Sequence, residues 1–213
     1  MMCSRKKGEK MIVKMIALGM YQTNAYLAYD EKSKKGFLVD PGTYSETLMD
    51  IIESEKIDIE YIVLTHGHLD HIGGVEKFTE KLGNPKLVAG KKEAEMLKDP
   101  RLNMTNDISL EADIWVKEGD TLQCGNMTFE FYETPGHTKG GIIFLIDDVL
   151  FAGDTIFCES IGRTDLEGGS FEEIAESIKT KIYTLPDETQ ILPGHMGTTT
   201  VGHEKKHNPF VRP

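Results

Sequence analysis

Four side chains able to bind a metal ion fall within six consecutive positions of this chain. They are His66, His68, Asp70 and His71, in T-H-G-H-L-D-H. They follow directly on the apolar run Y-I-V-L, so a strand must end there and present them in a loop at a sheet edge. The arrangement recurs downstream. His137 sits in T-P-G-H-T, Asp154 in F-A-G-D-T and His195 in L-P-G-H-M, each at the end of a strand-like segment. A fold that puts all these positions to use must bring several strand ends to one edge.

The rest of the chain supplies such strands. MIVKMIAL from Met11, NAYLAYD from Asn24 and GFLVDPG from Gly36 read as the first three. Leu48, Ile51 and Ile52 at i, i+3, i+4 predict a helix over 46–55. LVAG from Leu87 reads as a buried strand and KKEAEMLK from Lys91 as a short helix. Residues 114–157 hold a strand series in which GIIFLIDD meets VLFAGDT at a tight turn. Ser170 with Glu173 predicts a capped helix carrying Ile174, Ile178 and Ile182, and TQILPGH is the last strand. The expectation is an α/β fold of sheets covered by helices, forming one domain over residues 1–213. Residues 1–10 are expected to lack regular structure, and 196–213 to form a solvated tail.

Charge narrows the partners. A net charge of −11 works against nucleic acid or an anionic membrane surface, both of which are bound through phosphate. The basic N-terminus has no apolar segment behind it, and no run approaches the roughly 20 apolar residues of a membrane span. Cys3, Cys124 and Cys158 are too scattered for a disulfide framework or a cysteine zinc site. A cytoplasmic location is expected, with Cys158 a small buried hydrophobe.

Imidazole and carboxylate suit zinc, iron and manganese. His66, His68, Asp70, His71, His137, Asp154 and His195 make seven donors. A catalytic zinc takes about three protein ligands and a structural one about four, so seven fit two metals with one carboxylate between them. A water shared by two such ions can have its pKa lowered to about 7, making a nucleophile at neutral pH.

T-H-G-H-L-D-H resembles the signature of the metallo-β-lactamase-fold superfamily, with T-P-G-H-T, F-A-G-D-T and L-P-G-H at its later ligand positions. The resemblance covers essentially the whole chain and implies a four-layer αββα sandwich with the site at one edge of its sheets. It implies His66, His68 and His137 on one metal, Asp70, His71 and His195 on the second, and Asp154 bridging. True β-lactamases of this fold are not expected to carry that bridging aspartate. With Asp154 the pattern is similar to short bacterial glyoxalase II-like (hydroxyacylglutathione hydrolase-like) enzymes, which implies hydrolysis of small thioesters such as S-lactoylglutathione by a hydroxide between two divalent ions, zinc first, iron or manganese otherwise. Asp70 would then also orient the nucleophile.

In I-F-C-E-S-I-G-R-T-D, Arg163 matches a basic residue that contacts glutathione in larger relatives, and could equally pair with Asp165 or Glu167. The 18 residues after His195 are too few for the helical substrate domain of classical glyoxalase II. Asp40, in L-V-D-P-G, is a further expectation, either as an acceptor orienting a metal-bound histidine or as a turn residue. The alternative reaction is that of a mononuclear iron glutathione-persulfide dioxygenase. A domain without catalysis would be expected to have lost ligands, and all seven positions are filled.

Overall fold

The computed structural model describes residues 10–213; the basic stretch expected to lack regular structure lies outside them apart from Lys10. Strands β1 (Met11–Leu18), β2 (Thr23–Asp30), β3 (Lys35–Val39), β4 (Asp58–Leu64), β5 (Lys86–Gly90) and β6 (Ile114–Val116) form one sheet in that order. A second sheet has the order β14-β13-β10-β9-β8-β7. Its strands are β7 (Thr121–Cys124), β8 (Met127–Glu133), β9 (Ile142–Ile146), β10 (Val149–Gly153), β13 (Gln190–Pro193) and β14 (Thr199–Thr200). Between β10 and β13 lies a small hairpin, β11 (Ile156–Phe157) and β12 (Ser160–Ile161).

Alternation along the strands explains why there are four layers. On β4, Ile62 and Leu64 pack towards helices α1 (Glu46–Ser54) and α3 (Val75–Lys81), whereas Val63 packs between the sheets. Successive side chains of a strand point to opposite faces, so a strand apolar at every position must be covered on both. The second sheet repeats this. Phe144 and Phe151 face the first sheet, while Ile143, Leu150 and Ala152 face helix α5 (Phe171–Ser177) and the turn Ile178–Ile182 that extends it. Phe37, Phe129, Phe144 and Phe151 interlock at the centre, with ring centroids 4.6–6.1 Å apart. Each such ring is worth roughly 1.5–3 kcal/mol of burial.

The expected helices form with local differences. Ser45 Oγ caps α1 by accepting from Leu48 N, and Ser170 Oγ caps α5 by accepting from Glu173 N. The segment after α5 widens into a π-helical turn that keeps Ile178 and Ile182 fully buried. Lys91–Glu93 is a 3₁₀ turn leading into α4 (Ala94–Lys98) rather than a continuous helix. Helix α2 (Leu69–Ile72) is a single turn inside the histidine motif.

The solvated tail is not observed. Thr199 and Thr200 pair with Ile191 and Gln190, and helix α6 (Val201–His207) docks on the second sheet. Val201, Glu204, Asn208 and Val211 are all buried. The segment looks hydrophilic because part of what it buries is polar and mutually satisfied: Asn208 Nδ2 donates to Glu204 Oε2 at 2.9 Å, and Tyr183 Oη donates to the Val211 carbonyl. A chain ending at residue 198 loses two buried valines and this network. It should be destabilised by at least about 3 kcal/mol, read as a lower urea midpoint. A truncated chain as stable as the full one would show that the docking contributes nothing.

Candidate metal centre

Every sequence-predicted ligand lies just beyond the carboxyl end of a strand, on one edge of the sandwich. His66 and His68 follow β4, and Asp70 and His71 lie on α2. His137 follows β8, Asp154 follows β10 and His195 follows β13. β3 and β4 run parallel, as do β10 and β13, so their ends open on the same crevice. The two P-G-H turns fit tightly. A side chain at Gly194 would meet Asp154 Oδ1 at 2.2 Å, and Gly136, at φ +132°, backs onto the Ile174 backbone. Both positions therefore require glycine.

Three groups with donor atoms no more than 4.8 Å apart result: His66, His68 and His137; His66, His71 and Asp154; Asp70, His71 and His195. Asp154 joins them. Its Oδ1 lies 3.4 Å from His71 Nε2, and its Oδ2 lies 3.5 Å from His137 Nε2 and 3.4 Å from His195 Nε2. Asp70 Oδ2 is 3.2 Å from His195 Nε2 and 3.6 Å from His71 Nε2. Buried polar atoms normally find partners, yet His66 Nε2, His71 Nε2 and Asp154 Oδ1 have no hydrogen-bond partner among the described residues. Unpartnered nitrogen and oxygen atoms facing one another in a crevice are what a cation would satisfy, so the donor set fits metal binding.

The surrounding groups set the tautomers. Thr65 Oγ1 spends its one proton on Asp40 Oδ2 at 2.6 Å, so at 3.1 Å from His66 Nδ1 it accepts, leaving Nε2 its lone pair. His137 Nδ1 donates to the Arg163 carbonyl at 2.8 Å, so Nε2 carries the lone pair, with which it accepts from His68 Nδ1 at 2.9 Å. Asp40 accepts from Thr65 N at 2.8 Å and lies 3.0 Å from His71 Nδ1, an ion-pair distance not aligned as a hydrogen bond. Burial, reinforced by the neighbouring imidazoles, pulls His68 down to about 4 and also holds His66 well below the ordinary histidine value. Burial also lowers His137, with Asp154 opposing it. These three rings are neutral, the form that ligates. His195 is the opposite case: burial favours the neutral ring, but Asp154 and Asp70 raise it to about 9.

Arg163 is present at the site through its backbone. Its guanidinium pairs bidentately with Asp165 at 2.8 and 2.9 Å and is largely exposed, while its carbonyl holds His137. Other supports carry no local sequence signal. Thr23 Oγ1 donates to Asp70 Oδ2 at 2.7 Å. Asn24 Nδ2 holds the carbonyls of Pro193 and Met196 on either side of His195. Glu93 reads as an exposed helix residue in K-K-E-A-E-M, yet it is 2 % exposed. Its Oε1 accepts from Gly67 N and its Oε2 from Thr138 Oγ1, tying the His66–His68 loop to the His137 loop.

The sequence model of the metallo-beta-lactamase superfamily matches residues 18–195. The hydroxyacylglutathione hydrolase GloC of Haemophilus influenzae is 34% identical, over 94% of this chain and 98% of that protein. Among solved structures, the BLEG-1 B3 metallo-beta-lactamase superposes with a TM-score of 0.88 at 37% identity, covering 95% of this chain and all of that one. The di-iron-bound form of TTHA1623 superposes at 0.80 with 30% identity, over 93% of this chain and all of that one.

Glu93 generates a pH prediction. Burial, opposed by its hydrogen-bond donors, pushes its carboxyl from 4.5 to about 7. The folded state therefore holds that proton more tightly than the unfolded chain. This contribution to stability is complete below the unfolded value and is lost as pH rises through about 7. Relative to Glu93→Gln, wild-type stability should fall by on the order of 2–3 kcal/mol across that window. Urea unfolding with chelator present in both samples reads the difference. A difference independent of pH would mean that the carboxyl titrates in the folded protein as it does in the unfolded chain.

Proposed function

The chain belongs to the metallo-beta-lactamase superfamily, and from that premise we propose that it is a dinuclear metal-dependent thioester hydrolase of the glyoxalase II type, working in the cytoplasm on small acyl-thiol substrates. The observation that carries the dinuclear reading is Asp154, whose Oδ2 lies within 3.5 Å of both His137 and His195 while its Oδ1 faces His71, so one carboxylate touches both ligand sets. His66, His68 and His137 would hold one ion and Asp70, His71 and His195 the other, with Asp154 between them. Zinc is the first choice; a di-iron neighbour keeps iron in view, and manganese suits the same donors.

Bound divalent ions would supply a water with a pKa near 7 and polarise an acyl carbonyl, chemistry that needs no serine or cysteine nucleophile. The chain's own residues do the positioning. Asp70, fixed by Thr23, presents Oδ2 at the rim, where it can accept a hydrogen bond from the attacking water and orient its lone pair. Thr65 and the Arg163 carbonyl keep the protons of His66 and His137 on Nδ1, so both Nε2 atoms carry lone pairs. Likeness to a hydroxyacylglutathione hydrolase over nearly its whole length supports the thioester as substrate.

A second reading rests on the BLEG-1 likeness. That protein is described as a B3 metallo-beta-lactamase, which brings β-lactam hydrolysis back despite the aspartate expected to exclude it. One experiment separates the two. Protein loaded with zinc, iron or manganese is assayed for thiol release from S-lactoylglutathione and for opening of a chromogenic cephalosporin. The thioester should turn over and the cephalosporin should not. His68→Ala and Asp154→Ala should each lose more than the roughly 100-fold typical of removing an outer partner, together with bound metal. Cephalosporin turnover alone would replace the thioester reading, and oxygen uptake with glutathione persulfide in iron-loaded protein would replace hydrolysis altogether.

A further inference from the structure

The described residues contain one more group of metal-capable donors, formed by residues that the proposed reaction does not use. Cys158, His203 and Glu204 bring a sulfur, a ring nitrogen and a carboxylate oxygen within 4.8 Å of one another. Cys158 lies in the tight turn of the β11–β12 hairpin, and the other two begin α6. Cys158 is not the buried hydrophobe expected from the sequence. It is half-buried and, with His203, lines a cavity of about 380 Å³ walled by Gln190, Thr198, Thr199 and Thr200.

The local hydrogen bonding prepares these donors for a cation. His203 Nε2 stands 3.0 Å from Glu159 Oε1; a carboxylate accepts, so the ring proton sits on Nε2 and Nδ1 keeps its lone pair. An outer carboxylate that fixes the tautomer in this way is the usual companion of a metal-binding histidine. Glu204 is fully buried, and among the described residues no Lys or Arg forms a salt bridge with it. Its Oε2 accepts from Glu159 N and Asn208 Nδ2, both at 2.9 Å, but its Oε1 accepts only from Thr199 Oγ1, so one lone pair remains.

We propose that Cys158, His203 and Glu204 form a separate zinc site, with thiolate, imidazole and carboxylate as three protein ligands and a fourth position open to the cavity. Three mixed ligands and one exchangeable position are a normal zinc arrangement, and a thiolate favours zinc over magnesium, calcium or manganese. The thiol loses its proton to solvent as the metal–sulfur bond forms. The site ties α6 to the hairpin whose Phe157 ring packs edge-on against His195 at 5.7 Å, so its occupancy stiffens one wall of the His/Asp centre.

Cobalt(II) tests this directly, because thiolate bound to cobalt gives a near-ultraviolet charge-transfer absorption that imidazole and carboxylate do not. The His/Asp centre contains no sulfur. Titration of the Cys3→Ser protein should show that absorption at one equivalent of cobalt beyond those the His/Asp centre takes up. Cys158→Ser and His203→Ala should each abolish the absorption and lose one equivalent, while thioester turnover persists. As a check free of folding effects, alkylation of Cys158 in the unmutated protein, mapped by peptide mass, should slow at least about tenfold on adding zinc. No charge-transfer absorption, an absorption that survives Cys158→Ser, or an alkylation rate indifferent to zinc would each overturn the site.

Discussion

Asp154 stands between imidazoles that arrive from two different sheets, His71 behind the first and His137 and His195 at the ends of the second. Contacts of 3.4–3.5 Å leave little tolerance. Sliding the sheets by a single strand residue, about 3.3 Å, would open every one of them. The aromatic layer of Phe37, Phe129, Phe144 and Phe151 sets that spacing, so rings that supply none of the donors determine whether the site exists. Close-packed interiors deform little, and this explains how donors more than a hundred residues apart stay in register.

The edge itself is tuned by polar ties that cross between loops. Thr23 reaches Asp70, Asn24 grips both sides of His195, and Glu93 holds the His66–His68 loop against the His137 loop. The two halves of the cluster differ electrostatically. His66, His68 and His137 are buried among like rings and remain neutral, whereas His71 and His195 face carboxylates that hold protons on them. Cations entering the second half must displace those protons, while the first half offers rings that are already neutral.

What could be read from the residues divides along physical lines. Strand runs such as M-I-V-K-M-I-A-L and the Ser170 cap are local signals, and both formed as expected. Four of the seven candidate donors stand out because three imidazoles and a carboxylate in six positions have little structural use at a strand end, and the structure brings them close to the other three candidates. Glu93 was invisible because its partners, Gly67 and Thr138, lie 26 and 45 residues away and its neighbours read as a solvated helix. Arg163 drew notice for its charge, yet it is the carbonyl, common to every residue, that meets His137.

The C-terminal segment shows most clearly why composition misleads. M-G-T-T-T-V-G-H-E-K-K-H reads as solvent-exposed because hydropathy scores a buried, satisfied glutamate as if it were wet. Glu204 is buried only because Thr199, Asn208 and the Glu159 backbone supply its donors, and those donors come together only once the β11–β12 hairpin has folded against α6. The hairpin follows Asp154 immediately, and α6 follows His195 by six residues. Two ligand-bearing turns therefore end in elements that satisfy each other, so docking the C-terminus and shaping that side of the centre are one structural event.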